Sequence, residues 1–160
     1  TLLTKEFGPL QRVCFILTDA VLEESALADL HLCDRCGECI NACPGNAISE
    51  NGERNNWQCA AYYMGANMTK NPFMPPDAFN SQSNREEIIT GKAKLTPQQA
   101  REVIDNLIFY PPIKHGYVSS ICGKACDMAC YIHLENRGVL TKKFQSKFRR
   151  RPEWKLTLIE

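Results

Sequence analysis

Cys33-Asp-Arg-Cys36-Gly-Glu-Cys39-Ile-Asn-Ala-Cys43-Pro44 places four thiols within eleven residues, spaced two, two and three residues apart. Three thiolates at the closer spacing can wrap one face of a cubane metal cluster, and Gly37 eases the approach of the backbone to it. A fourth cysteine followed by proline lies beyond that wrap and turns the chain away, which suits it to a second, neighbouring cluster. Zinc fits this crowding poorly, because a structural zinc site pairs two C-x2-C units around one tetrahedral ion. Disulfides fit no better: the chain has nine cysteines, an odd number, and 160 residues, whereas disulfide scaffolds are short, even in count and exported. The reading is therefore 4Fe–4S chemistry in a reducing, cytoplasmic compartment.

Working outward, a second cluster requires further thiolates. Cys59 stands alone, and Cys122-Gly-Lys-Ala-Cys126-Asp-Met-Ala-Cys130 spaces three more at four and four. Residues four apart share one face of a helix, so this spacing predicts three thiols pointing in one direction from a helix over 119–134. Crossed ligation then assigns Cys33, Cys36, Cys39 and Cys130 to the first cluster and Cys43, Cys59, Cys122 and Cys126 to the second. Cys59 is the member with no motif around it, and a plain buried thiol is the competing reading there. Cys14, in the apolar run Val13-Cys14-Phe15-Ile16-Leu17, reads as a buried structural thiol, since free cysteine is among the most buried residue types.

Around these groups, residues 11–19 are rich in β-branched and aromatic side chains and predict a strand, one that completes a sheet either here or in a part of the protein not present. Moderate helical character follows over 24–32. Residues 57–68 predict a helix with Trp57, Ala60, Ala61 and Met64 on one face, and 71–84, with its prolines, predicts a loop. Thr96-Pro97-Gln98-Gln99 carries a capping box with proline at the first helical position, and Val103, Ile104, Leu107 and Ile108 form the apolar stripe behind it. Pro111-Pro112 end that helix. The expected fold is α+β and mostly helical: an amino-terminal segment (1–24), a two-cluster core with a long insert between its cysteine groups (25–140), and a basic tail (141–160).

Composition sets limits. Hydrophobic residues make up 44% and charged residues 23% of the chain, and the formal net charge is +1; these are globular values that give no reason to expect a nucleic-acid partner. No apolar run approaches the roughly 18 residues that cross a bilayer, so no membrane is expected, and the start shows no charged stretch, apolar core and cleavage site, so no signal peptide is expected. It starts at Thr1 rather than Met, which suggests a processed or shortened piece. Lys142, Lys143, Lys147, Arg149, Arg150 and Arg151 alternate with Phe144 and Phe148 in the tail. This is either a solvated face held down by two phenylalanines or a docking patch for an acidic redox partner. His31, His115 and His133 read as surface or core polar residues. No nucleophile–base pair, phosphate loop or dinucleotide fingerprint is present, so catalytic residues are assigned nowhere and the chemistry belongs to the clusters.

The four-cysteine run resembles that of bacterial two-cluster ferredoxins. Phe7-Gly8-Pro9 through Leu17-Thr18-Asp19-Ala20, with Cys33 through Ile48 and the late cysteines, is also similar to the carboxy-terminal iron–sulfur module of cobalamin-dependent reductases, epoxyqueuosine reductase and the reductive dehalogenases. That resemblance implies an order of four cysteines, one, then three, which favours a ligand's role for Cys59. It implies an electron-transfer module feeding a redox partner or an upstream cobalamin domain, and an oxidoreductase only when joined to that domain. The chain departs from the family in the wider gap between Cys122 and Cys126, in Tyr131 where proline is usual, and in the length of the insert.

Overall fold

Thr96 starts a helix as its residues require: its Oγ1 accepts from the Gln99 amide at 3.3 Å, and the Gln99 side chain accepts from the Thr96 amide at 3.0 Å. These reciprocal bonds satisfy amides that the helix itself leaves unpaired. In the computed structural model, which describes residues 2–26, 31–107 and 120–146, this is one of five helices. They are α1 (Glu38–Asn41), α2 (Asn56–Tyr63), α3 (Arg85–Thr90), α4 (Pro97–Asp105) and α5 (Ala125–Asn136). Among the described residues the only β-pairing is two isolated bridges, Thr4 with Gly8 and Ile48 with Arg54. The expectation of a mostly helical chain holds, whereas its β component is reduced to these two bridges among the described residues.

The chain divides into two compact units: Asp34–Ala129, and Thr1–Cys33 with Cys130–Glu160. In Asp34–Ala129, α2 packs on α4 through small residues, Ala61 and Ala100 both being fully buried. Tyr62, Ile88, Val103 and Leu107 fill the space around them, each aliphatic side chain contributing about 1.5–3 kcal/mol by leaving water. The long insert between Cys59 and Cys122 is therefore not a peripheral loop; it supplies most of this core. The helix predicted over 57–68 ends at Tyr63 and buries Gln58, Ala61 and Tyr62, while Trp57 turns outward under the Arg101 guanidinium, 4.6 Å from its ring centre.

In the other unit Leu32, Tyr131, Leu134 and Leu140 form a smaller core. A tight turn at Thr4–Gly8 lies against it. Gly8 has φ +56°, and a Cβ there would approach Leu134 to 3.3 Å, so both conformation and space call for glycine. The Thr141 amide donates to the Lys5 carbonyl at 2.8 Å and Arg137 Nη1 to the Leu32 carbonyl at 3.1 Å. Phe144 meets Tyr131 edge-to-face at 5.4 Å, which favours the packed reading of the tail's start; residues 147–160 lie outside the described residues, as do 27–30, His115, and the double proline.

The strand expected over 11–19 is not formed. Those residues have no regular structure, and Phe15, Leu17 and Val21 are 97%, 100% and 101% exposed. A strand needs a neighbour to take its amides and carbonyls, and among the described residues no sheet exists to provide one. Cys14 is accordingly exposed, the opposite of the buried thiol expected. No helix among the described residues is long and apolar enough to cross a membrane.

Candidate metal centre

No disulfide joins any of the nine cysteines. In the run itself, Arg35 and Gly37 both adopt left-handed backbone, φ 59° and 79°, on either side of Cys36. Alternation of this kind turns successive amides toward a common concave side, the backbone form of an anion site used at iron–sulfur clusters. The Asp34 carboxylate accepts from the Cys36 amide at 3.3 Å and steadies the turn. Gly37 then caps α1, which carries Cys39. Cys36 is exposed and Cys39 half-buried. Cys33, exposed, and Cys130, packed at the edge of the Leu134 core, belong to the other unit.

Cys43, Cys59, Cys122 and Cys126 come from three separate stretches of Asp34–Ala129. Burial pushes the Cys59 thiol up, Arg54 pulls it down, and Cys43, Cys122 and Asp127 raise it further. Burial pushes Cys126 to about 11, with the Asp127 carboxylate next in effect and Cys43 and Cys122 adding to it. Cys43 and Cys122 therefore lie within electrostatic reach of both other thiols. Burial first and neighbouring negative groups second disfavour the thiolate at Cys59 and Cys126, and a metal bound there would supply the opposing charge.

The Cys43 end is tightly built. The Ala47 amide donates to Cys43 Sγ at 3.3 Å. Gln58, 2% exposed, donates to the carbonyls of Gly45 and Ala93 at 2.8 and 2.6 Å and accepts from the Leu95 amide at 2.9 Å. Asn67 donates to the Pro44 carbonyl at 2.7 Å. A Cβ on Gly45 would stand 2.0 Å from the Tyr62 ring.

The Cys122 end differs from its sequence reading. Gly123 and Lys124 are both left-handed, φ 60° and 49°, so the helix starts only at Ala125 and Cys122 sits in the turn before it. The expectation of three thiols on one continuous helix is corrected: only Cys126 and Cys130 are on α5. The Ser120 hydroxyl lies 3.5 Å from Cys122 Sγ, and the Ile121 amide ties the turn to the Tyr63 carbonyl at 2.9 Å. Arg54 and Asp127, the charges that act on these thiols, were not singled out from sequence. Asp127 adjoins Cys126 and was open to notice; Arg54 precedes Cys59 by five positions, and only the turn into α2 brings it to bear. His31 is exposed and His133 half-buried.

No curated protein and no solved structure matches the chain. These comparisons therefore lend no support to the resemblance to cobalamin-dependent reductases. A family model does match over residues 28–49, the segment that holds Cys33, Cys36, Cys39 and Cys43: the chain carries a 4Fe-4S binding domain there.

Proposed function

We propose that the chain is an electron-transfer module with two 4Fe–4S clusters, Cys33, Cys36, Cys39 and Cys130 serving the first and Cys43, Cys59, Cys122 and Cys126 the second. When bound, such clusters accept and release single electrons. The observation that supports the reading is that Cys43 and Cys122, from separate stretches of the chain, each act electrostatically on both Cys59 and Cys126. A lone cluster served by Cys33, Cys36, Cys39 and Cys43 would leave Cys59, Cys122 and Cys126 without a task. The Ala47 amide, aimed at Cys43 Sγ, offsets negative charge there, and Arg54 does the same at Cys59; both favour the more reduced state. Anaerobic reconstitution tests the proposal: about eight iron atoms and about eight sulfides per chain are expected, with an EPR signal of two interacting centres after reduction. Iron for a single cluster, or zinc in its place, overturns it.

A second reading is favoured by the exposed apolar residues Phe15, Ile16, Leu17 and Val21. They suit a strand that joins a sheet outside this chain, as the resemblance to cobalamin-dependent reductases implies, with this chain as the electron-delivering half. The reading frame upstream of Thr1 tests it: a cobalamin-binding type of domain encoded there supports it, and a start codon adjoining Thr1 removes it.

A further inference from the structure

A cavity of about 380 Å³ opens beside Gln58, between the turn after Cys43 and residues 94–95. Its walls are set by bonds that need no ligand: Gln58 holds Gly45, Ala93 and Leu95, and Asn46 Nδ2 donates to the Gly91 carbonyl at 2.9 Å. Two cations line it, Arg54 and Lys94, against one anion, Glu53. Arg54 uses only its Nε, bonded to Asn56 Oδ1 at 3.0 Å, so among the described residues its two terminal nitrogens have no partner; Lys94 has no ion pair there either. Ile48 and Leu95 add apolar wall. A preformed hollow with a few convergent polar groups on an apolar frame is the usual form of a small-molecule site, and a guanidinium with its fork uncommitted matches a carboxylate or phosphate.

Two lining residues connect the cavity to the candidate centre. Ala47 lines it and gives its amide to Cys43 Sγ; Arg54 lines it and acts on Cys59. We propose that this cavity binds a small organic anion, a carboxylate or phosphate on a short carbon frame, through Arg54 and Lys94, and that the bound anion opposes reduction of the cluster beyond its wall. The inference rests on Cys43 and Cys59 being cluster ligands. The coupling is reciprocal: an added electron weakens anion binding by the same factor by which the anion disfavours the electron.

Malonate and inorganic phosphate, titrated calorimetrically into the reconstituted protein at constant ionic strength with chloride as the control, test the site. Saturable binding of either is expected, at least tenfold weaker in R54Q/K94Q and severalfold tighter in E53Q. Glu53 and Lys94 are exposed and have no role at the candidate centre, so iron content stays normal in E53Q and K94Q, and K94Q alone should bind severalfold more weakly; iron per chain is measured in R54Q/K94Q before its binding is compared. In voltammetry, saturating anion lowers one potential; a tenfold weaker affinity for the reduced protein corresponds to about 59 mV for a one-electron couple. Absence of saturable binding, or equal binding by R54Q/K94Q, overturns the site, and binding with no change in either potential overturns the coupling. Normal iron with no anion binding sinks this inference alone, whereas failure to take up iron sinks the electron-transfer reading beneath it.

Discussion

Two cysteine-bearing turns of the same unit are held in opposite ways. The turn after Cys43 is clamped: Gln58, Asn67 and Asn46 bond its backbone or brace it, and Gly45 presses on the Tyr62 ring. Among the described residues, the turn from Ser120 to Ala125 is held by local bonds and one backbone tie to Tyr63, and a Cβ on Gly123 would meet nothing within 4 Å. One thiol is thus set in place by packing, the others by the conformation of two left-handed residues. The contrast teaches that, of the ligands proposed for a second cluster, Cys43 sits in a preformed turn, whereas Cys122 and Cys126 would be the ones that bound iron orders.

The largest effect that tests this division is on iron itself. Replacing Cys43, Cys59, Cys122 or Cys126 by alanine is expected to remove about half of the bound iron, measured by iron assay and EPR, while Cys14→Ser leaves it unchanged. Equal iron in all five variants breaks the assignment. Hydrogen exchange sharpens it next: without iron, amides over 120–126 should exchange about a hundredfold faster than those over 44–47, and iron should protect chiefly the former. Uniform protection would show both turns to be preformed.

Glycine substitutions probe the same contrast through stability. Gly45→Ala drives a Cβ into a buried ring and should lose about 3 kcal/mol in denaturant unfolding. Gly123→Ala has room and pays only for its positive φ, about 1 kcal/mol. The smallest effect is alkaline. Tyr62, which donates to the Ile88 carbonyl at 2.9 Å, has its phenol raised to about 12, first by burial and then by Cys43. The folded state therefore keeps a proton that the unfolded chain gives up near pH 10, so this stabilisation is complete below about pH 10 and is lost as pH rises toward about 12. Tyr62→Phe, monitored by circular dichroism, should remove that part of the decline.

The run at Cys33–Cys43 was legible because its spacing is short and local; a cluster dictates it without help from the rest of the fold. The capping box of α4 was legible for the same reason, since Thr96, Pro97 and Gln99 settle their own bonds. The late cysteines were not. A spacing of four fits a helix, and nothing in Cys122-Gly-Lys-Ala-Cys126 except Gly123 marks the reversal of hand that Lys124 shares. Nor could the strand over 11–19 be judged, since apolar alternation reports a preference and not the presence of a neighbour to pair with. Gln58 was read past altogether: a lone glutamine beside a tryptophan gives no sign that it will tie three carbonyl and amide groups together.

The uncovered run Val13-Cys14-Phe15-Ile16-Leu17 has one more consequence. It is uncharged, free of proline and β-prone, the composition that drives chains to stack into cross-β assemblies. Arg12 and Asp19 stand at its two ends, and Thr18 breaks its apolar character before the aspartate. Those charges act as gatekeepers against self-association, which makes the two least conspicuous ionised residues of the amino-terminal stretch the guardians of its colloidal behaviour.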